Sequence, residues 1–269
     1  MSLRSSILGT ACAVAIVALS GPAFADMGGF SGTLQGQYSN TSAGNGGGSA
    51  NVWGGAGSGA FDLGMSGLKV QVDGGYNEVN FSSGGGNVGD WNIDGALIWQ
   101  GGMGRIGATV GYNGVSGGGG ESFNLTNYGG FAEWYAGHMF TLGVKGGGAS
   151  ASSGGFGSGS ADYLGGEGIF YVVPDLALNA DVDYFSAGHG DNLTSYGGTV
   201  EWLVSQRLPV SVYGGYTYTD LSGGGGHLST WTVGLKFYLN GNGASTLVDR
   251  QRTGNENWGT QTNLINTVF

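Results

Sequence analysis

The chain has 269 residues, 62 of them glycine, with 10% charged side chains and a formal net charge of −10. That charge has the wrong sign for gripping nucleic acid, and a soluble globule so rich in glycine would struggle to bury a core. Yet 40% of the residues are hydrophobic and 12% aromatic, which excludes a disordered chain and suits a sheet whose apolar face meets lipid.

At the N-terminus, Arg4 supplies a positive charge, Ile7 to Leu19 form a short apolar run, and Ala23-Phe24-Ala25 form a small-residue cleavage pattern. This predicts a secretory signal peptide over residues 1–25, with Asp26 as the first mature residue. The apolar run is short for a bilayer span. Cys12, the single cysteine, leaves with it, so the mature chain has neither disulfide nor thiol chemistry. No later run is long and apolar enough to cross a membrane as a helix.

From Asp26 onward the chain reads as twelve alternating segments, with approximate spans 29–39, 51–61, 67–77, 90–100, 105–115, 125–135, 139–147, 162–172, 176–186, 193–204, 210–219 and 228–239. The stretch Asn192–Asp220 shows the repeating unit. Tyr196, Gly198, Val200, Trp202 and Val204 share one face; Ser195, Gly197, Thr199 and Glu201 share the other. Val210, Val212, Gly214, Tyr216 and Tyr218 repeat the pattern after a polar connection ending in Pro209. Side chains alternate sides along a strand, so this is a two-faced hairpin. Connections after odd segments are longer and rich in Gly, Ser and Asn; those after even segments are short and hold Pro174 and Pro209. Such alternation predicts an antiparallel membrane barrel with long loops at one end and short turns at the other.

Aromatic residues recur with the hairpin period. Phe61, Trp99, Trp134, Phe170 and Trp202 end descending segments; Tyr38, Tyr76, Tyr112, Tyr184 and Tyr218 lie near the upper ends of ascending ones. They predict two belts at the membrane interfaces. Faces assigned from the apolar residues alone put Lys69, Asp73, Asp94, Arg105, Glu133, Lys145, Glu167, Asp181, Asp183, Glu201 and Lys236 on the opposite side. Lipid demands this, since an Arg or Lys turned outward at the midplane costs about 2–4 kcal/mol. Phe131, Ile169 and Tyr171 share that inner face. The second segment leaves two choices of outer face, Trp53/Phe61 or Val52/Ala56/Ala60.

The final segment, Ser229 to Leu239, turns Trp231, Val233, Leu235, Phe237 and Leu239 to one side. With the Ala-Phe-Ala signal end, the twelve segments and the two belts, it makes Asp26–Asn240 resemble the bacterial outer-membrane β-barrel proteins, porin-like in the broad sense. The resemblance implies an all-β, antiparallel transmembrane barrel of about twelve strands with both ends in the periplasm. It further implies insertion into Gram-negative outer-membrane lipid by the barrel-assembly machinery, as a monomer or a homo-oligomer. Chains of that class often end in Phe, as this one does at Phe269. Residues 241–269 are polar with no clean period; they read as a periplasmic extension rather than a thirteenth strand or a plug, and no helix is expected.

Catalytic chemistry is thin. His138 falls in a short turn, His189 and His227 in long loops. His189 and Asp191 beside His227 would be the acid–base pair of a hydrolase at the barrel mouth; as water-exposed loop residues they are ordinary surface histidines. No serine sits in a nucleophile elbow, and the glycine runs match no phosphate or calcium motif. No catalytic residue, metal or cofactor is expected. The interior is the better candidate: Asp73, Asp94, Glu133, Glu167, Asp181, Asp183 and Glu201 against Lys69, Arg105, Lys145 and Lys236 predict a polar pore lining with acidic excess. Glu133 and Glu201, low in the barrel, would face Lys69 and Arg105 and set up a transverse field. Glu167 should lie opposite Asp181, with Asp183 nearby. The expected function is a passive channel for small hydrophilic solutes, mildly preferring cations. Two alternatives stay open: a sealed barrel serving adhesion or envelope integrity, and an outer-membrane hydrolase. An autotransporter is disfavoured, because the first segment follows the cleavage site too closely for a passenger.

Overall fold

The computed structural model describes residues 29–44, 47–82, 87–116, 122–153, 157–187, 192–205, 209–222, 226–239 and 244–253. The signal peptide, His189, Asp191 and Phe269 lie outside them. Twelve strands follow one another: β1 Phe30–Ala43, β2 Ser49–Asp62, β3 Leu68–Phe81, β4 Asn87–Gly101, β5 Gly104–Ser116, β6 Ser122–Ala136, β7 Phe140–Ser153, β8 Gly157–Val173, β9 Leu176–Ala187, β10 Asn192–Ser205, β11 Val210–Leu221 and β12 Gly226–Tyr238. Each pairs antiparallel with the next, and β12 returns to β1, so the sheet has no edge. Closure gives every strand a hydrogen-bonding neighbour on both sides, which lipid requires.

The register fixes the tilt. One row of paired residues runs from Phe30 through Phe61, Val70, Leu97, Ala108, Gly130, Gly146, Leu164, Tyr184, Thr194 and Asp220 to His227. The His227 carbonyl accepts the amide of Gly44, so the row comes back to β1 fourteen residues above its start. That stagger over twelve strands tilts them by about 40°.

Strands overrun the spans expected from sequence. Connections at the Gly/Ser-rich end are three to five residues long, and those at the other end two to five, so the expected contrast between long loops and short turns is largely lost. Small residues that look like loop in isolation are held as strand by rungs such as Ser150 opposite Ser160 and Ser152 opposite Ser158, and by the Ser49–Ser82 hydroxyl contact at 3.0 Å. Low strand propensity is overridden where both neighbours supply ladder partners.

The outer face is apolar. In β2, Trp53 is 61% exposed while Val52 and Ala60 are buried, which decides the face that the sequence left open. Aromatic rings meet across neighbouring strands at two levels: Tyr38 with Trp53 (4.6 Å), Trp91 with Tyr112 (5.5 Å) and Tyr216 with Trp231 (4.7 Å), all tilted, toward the Gly/Ser end; Phe30 with Phe61 (5.0 Å, tilted) and Phe140 with Phe170 (4.8 Å, stacked) toward the other. Trp99, Trp134, Trp202 and Tyr184 also project outward.

A short helix, α1 (Leu247–Thr253), departs from the expectation of a chain without helix whose tail is a periplasmic extension. Thr246 caps it: its Oγ1 accepts the Asp249 amide (3.2 Å) and donates to the Asp249 carboxylate (2.8 Å). Seven residues make too short a helix to stand alone. It is held by packing: Leu247, fully buried, and Val248 join Tyr171, Ala177, Leu203 and Tyr238 in an apolar cluster.

Candidate functional site: the barrel interior

Alternation carries all eleven charged residues named from the sequence to the inner face, where most are buried or ion-paired. The stagger sorts ten of them into two tiers, and Asp183 lies two residues above Asp181 on β9.

Asp73, Asp94, Lys145, Glu167 and Asp181 occupy the middle of the barrel. Asp73 and Asp94 are directly paired on β3 and β4; Glu167 and Asp181 are directly paired on β8 and β9, as expected. The two acidic pairs thus lie on roughly opposite walls. Their local partners are amides: Gln71 Nε2 donates to Asp73 (2.8 Å), Asn92 Nδ2 to Asp94 (2.7 Å) and Asn179 Nδ2 to Glu167 (3.4 Å). The basic residue of the tier, Lys145, is engaged by Asp183 at 2.9 Å. Inward glycines on the adjacent strands keep these side chains against the wall. Asp94 lies across Gly111 and Asp183 across Gly165, each in space that a Cβ would occupy.

The lower tier, at the short-turn end, is charge-compensated. Arg105 Nε meets Glu133 at 2.6 Å, Lys236 Nζ meets Glu201 at 3.0 Å, and Lys69 Nζ lies 3.7 Å from Asp62. The expected transverse field therefore gives way to pairs: Arg105 and Glu133 are cross-strand neighbours on β5 and β6, and attraction at contact outweighs attraction across the bore. Glu201 also accepts the hydroxyls of Ser211 and Tyr238 and the amide of Gln251.

Into this tier α1 inserts its C-terminal turn. Its last carbonyls, orphaned as at any helix end, are taken up by the wall: Arg105 donates to Gln251 O (3.1 Å), Gln100 and Tyr135 (3.2 Å) to Arg252 O, and Lys69 to Thr253 O (2.9 Å). Cations there also match the negative end of the helix dipole. Arg252 reaches the opposite way, donating to the carbonyls of Gly137 and Phe140, both at 2.7 Å, and to Thr141 Oγ1 at 3.2 Å. Tyr171 donates to Gln251 Oε1 at 2.8 Å. Sequence reading found Lys69, Arg105 and Glu201 but not their partner, because the tail has no period; the Thr246–Asp249 capping pattern was the one available signal. It also passed over the interior amides Asn77, Asn113 and Asn127, which are buried.

His138 is exposed in the turn between β6 and β7, and His227 stacks on Tyr218 at 5.3 Å.

No protein-family model matches the chain, and no curated protein matches it in sequence. Solved structures do share its fold. An outer membrane channel from Pseudomonas putida F1 superposes with a TM-score of 0.59 at 13% identity, covering 79% of this chain and 95% of that one. The translocator domain of the autotransporter NalP from Neisseria meningitidis gives 0.53 at 13% identity, covering 87% and 95%. The beta domain of the Bordetella autotransporter BrkA gives 0.51 at 11% identity, covering 78% and 99%. The chain has the closed twelve-strand architecture of bacterial outer-membrane β-barrels.

Proposed function

We propose that this protein is an outer-membrane channel for passive diffusion of small hydrophilic solutes, with a mild preference for cations. Export would remove residues 1–25, and the apolar outer face with its two aromatic levels would seat the barrel in lipid. The observation that carries the reading is the middle tier: four carboxylates, Asp73, Asp94, Glu167 and Asp181, share one level of the bore with a single base, Lys145, which is salt-bridged to Asp183. A ring of charge at a constriction is how pores select by sign. An apolar or fully ion-paired interior would be the simpler way to fill a barrel meant only as a scaffold. The short Gly/Ser-end connections also leave little loop to display, which weighs against a surface adhesin.

Reconstitution into planar bilayers tests the reading. The protein should conduct, with a reversal potential in a salt gradient displaced toward the cation value. The combined variant Asp73→Asn, Asp94→Asn, Glu167→Gln, Asp181→Asn should conduct with that displacement abolished. A sealed bilayer with correctly folded protein would reject the channel.

A further inference from the structure

The outer face of the barrel wall differs between its two ends. At the short-turn end, β4 stops two residues after Trp99 and β6 two after Trp134, and exposed Met103 and Met139 occupy the turns. At the Gly/Ser end the strands continue: β1 runs five residues past Tyr38, and β12 extends five beyond Trp231. At the rise of a tilted strand this is about 13 Å of wall past the aromatic level. None of the eight Lys and Arg residues of the chain falls in these strand ends or in the connections between them.

The β1–β4 sector of this wall is ordered. Asn40, Asn51, Asn80 and Asn87 are paired neighbours on four successive strands, so they form one outward rung of amides. The next outward rung below it holds Tyr38, Trp53 and Glu78, with Trp53 exposed and its ring tilted against that of Tyr38. Hydrogen bonds fix the two rungs to each other. The Tyr38 hydroxyl and Asn40 Nδ2 both donate to Asn51 Oδ1 (2.7 and 2.9 Å), and Asn87 Nδ2 donates to Glu78 Oε1 (2.7 Å).

We infer that this strip binds the saccharide headgroup of a lipid in the surrounding leaflet. The inference goes beyond the channel reading and does not depend on conduction. Amides both donate and accept hydrogen bonds, as sugar hydroxyls do, and here they repeat at the spacing of strands. The indole of Trp53 sets an apolar plane beside them, which suits the C–H face of a sugar ring. A bare phosphate headgroup is gripped by Lys and Arg; this wall has neither, and Glu78 repels an anion while accepting a hydroxyl. Position selects the source. Tyr38 and Trp53 stand at the aromatic level, where lipid headgroups lie, so the strip continues the lipid-facing surface without a break.

Native mass spectrometry of the full-length protein in detergent tests the site, with digalactosyldiacylglycerol and phosphatidylglycerol supplied in equal amounts. The wild-type protein should retain the galactolipid about tenfold over phosphatidylglycerol. The combined variant Asn40→Ala, Asn51→Ala, Asn80→Ala, Asn87→Ala should lose that preference, and Trp53→Leu, which leaves the amides in place, should weaken it. Thr126→Ala, Ser150→Ala, Ser160→Ala, which strips an outward hydroxyl rung from β6–β8, should keep it. Equal retention of both lipids by the wild-type protein would overturn the site, as would an undiminished preference in the asparagine variant or in Trp53→Leu. Displacement of the galactolipid by free galactobiose at equal concentration would overturn the lipid as the source of the sugar.

Discussion

The middle and the lower tier of this barrel are built from the same residue types and do opposite things with them. In the middle, carboxylates are met by amides and lie flat against the wall; at the short-turn end, Glu133 and Glu201 are met by Arg105 and Lys236 and covered by α1. The difference shows that an inward charge in a barrel is compensated on the spot or not according to its cross-strand neighbour. Glu167 faces another acid, Asp181; Glu133 faces a base, Arg105. Wall position alone does not distinguish them.

That contrast can be broken from the lower side first. Placing carboxylates under the helix, with Leu247→Asp and Val248→Asp together, should expel α1 from its apolar cluster, because an uncompensated buried charge is too costly to keep. Single-channel conductance should then rise severalfold with ion preference retained; unchanged conductance would mean that α1 does not restrict the path. Glu201→Ala should be the most damaging single change, since it strips the half-buried Lys236 of its carboxylate at a cost of up to about 3 kcal/mol, measurable by denaturant unfolding in detergent. On the outer face, Val110→Arg should cost about 2–4 kcal/mol in lipid vesicles, and much less in mixed micelles that let the side chain reach water. Smallest of all should be Asp181→Asn in the middle tier. It strands no cation, so stability should move by less than about 1 kcal/mol, while the reversal potential falls part of the way toward zero. A loss as large as that of Glu201→Ala would erase the distinction between the tiers.

Much of this was legible in the sequence, and the reasons are specific. Period-two alternation with outward Trp99, Trp134 and Trp202 and inward Glu133 and Glu201 gives strands, faces and closure together, because lipid on one side and water on the other enforce a single register. The same logic found Glu167 opposite Asp181 by counting back from Pro174. What escaped it depends on neighbours distant in the chain. Ser150 and Ser160 read as loop until they are seen as a rung. Residues 247–253 read as featureless because the apolar face of α1 consists of Leu247 and Val248, and its last carbonyls are satisfied by Arg105, Gln100 and Lys69, more than a hundred residues earlier. The pairing of Arg105 with Glu133 instead of across the bore needed the register, which no single segment contains.

The glycines beneath the inward carboxylates set the calibre of the tube. Asp94 can recline because Gly111 on the next strand has no side chain, and Asp183 does the same over Gly165. A methyl group at either place would tip a charged side chain away from the wall and toward the barrel axis. The width of the barrel's interior is therefore encoded by absent atoms, and its glycine content acts as a gauge of bore width that evolution can adjust one hydrogen-to-methyl exchange at a time without disturbing a single rung of the ladder.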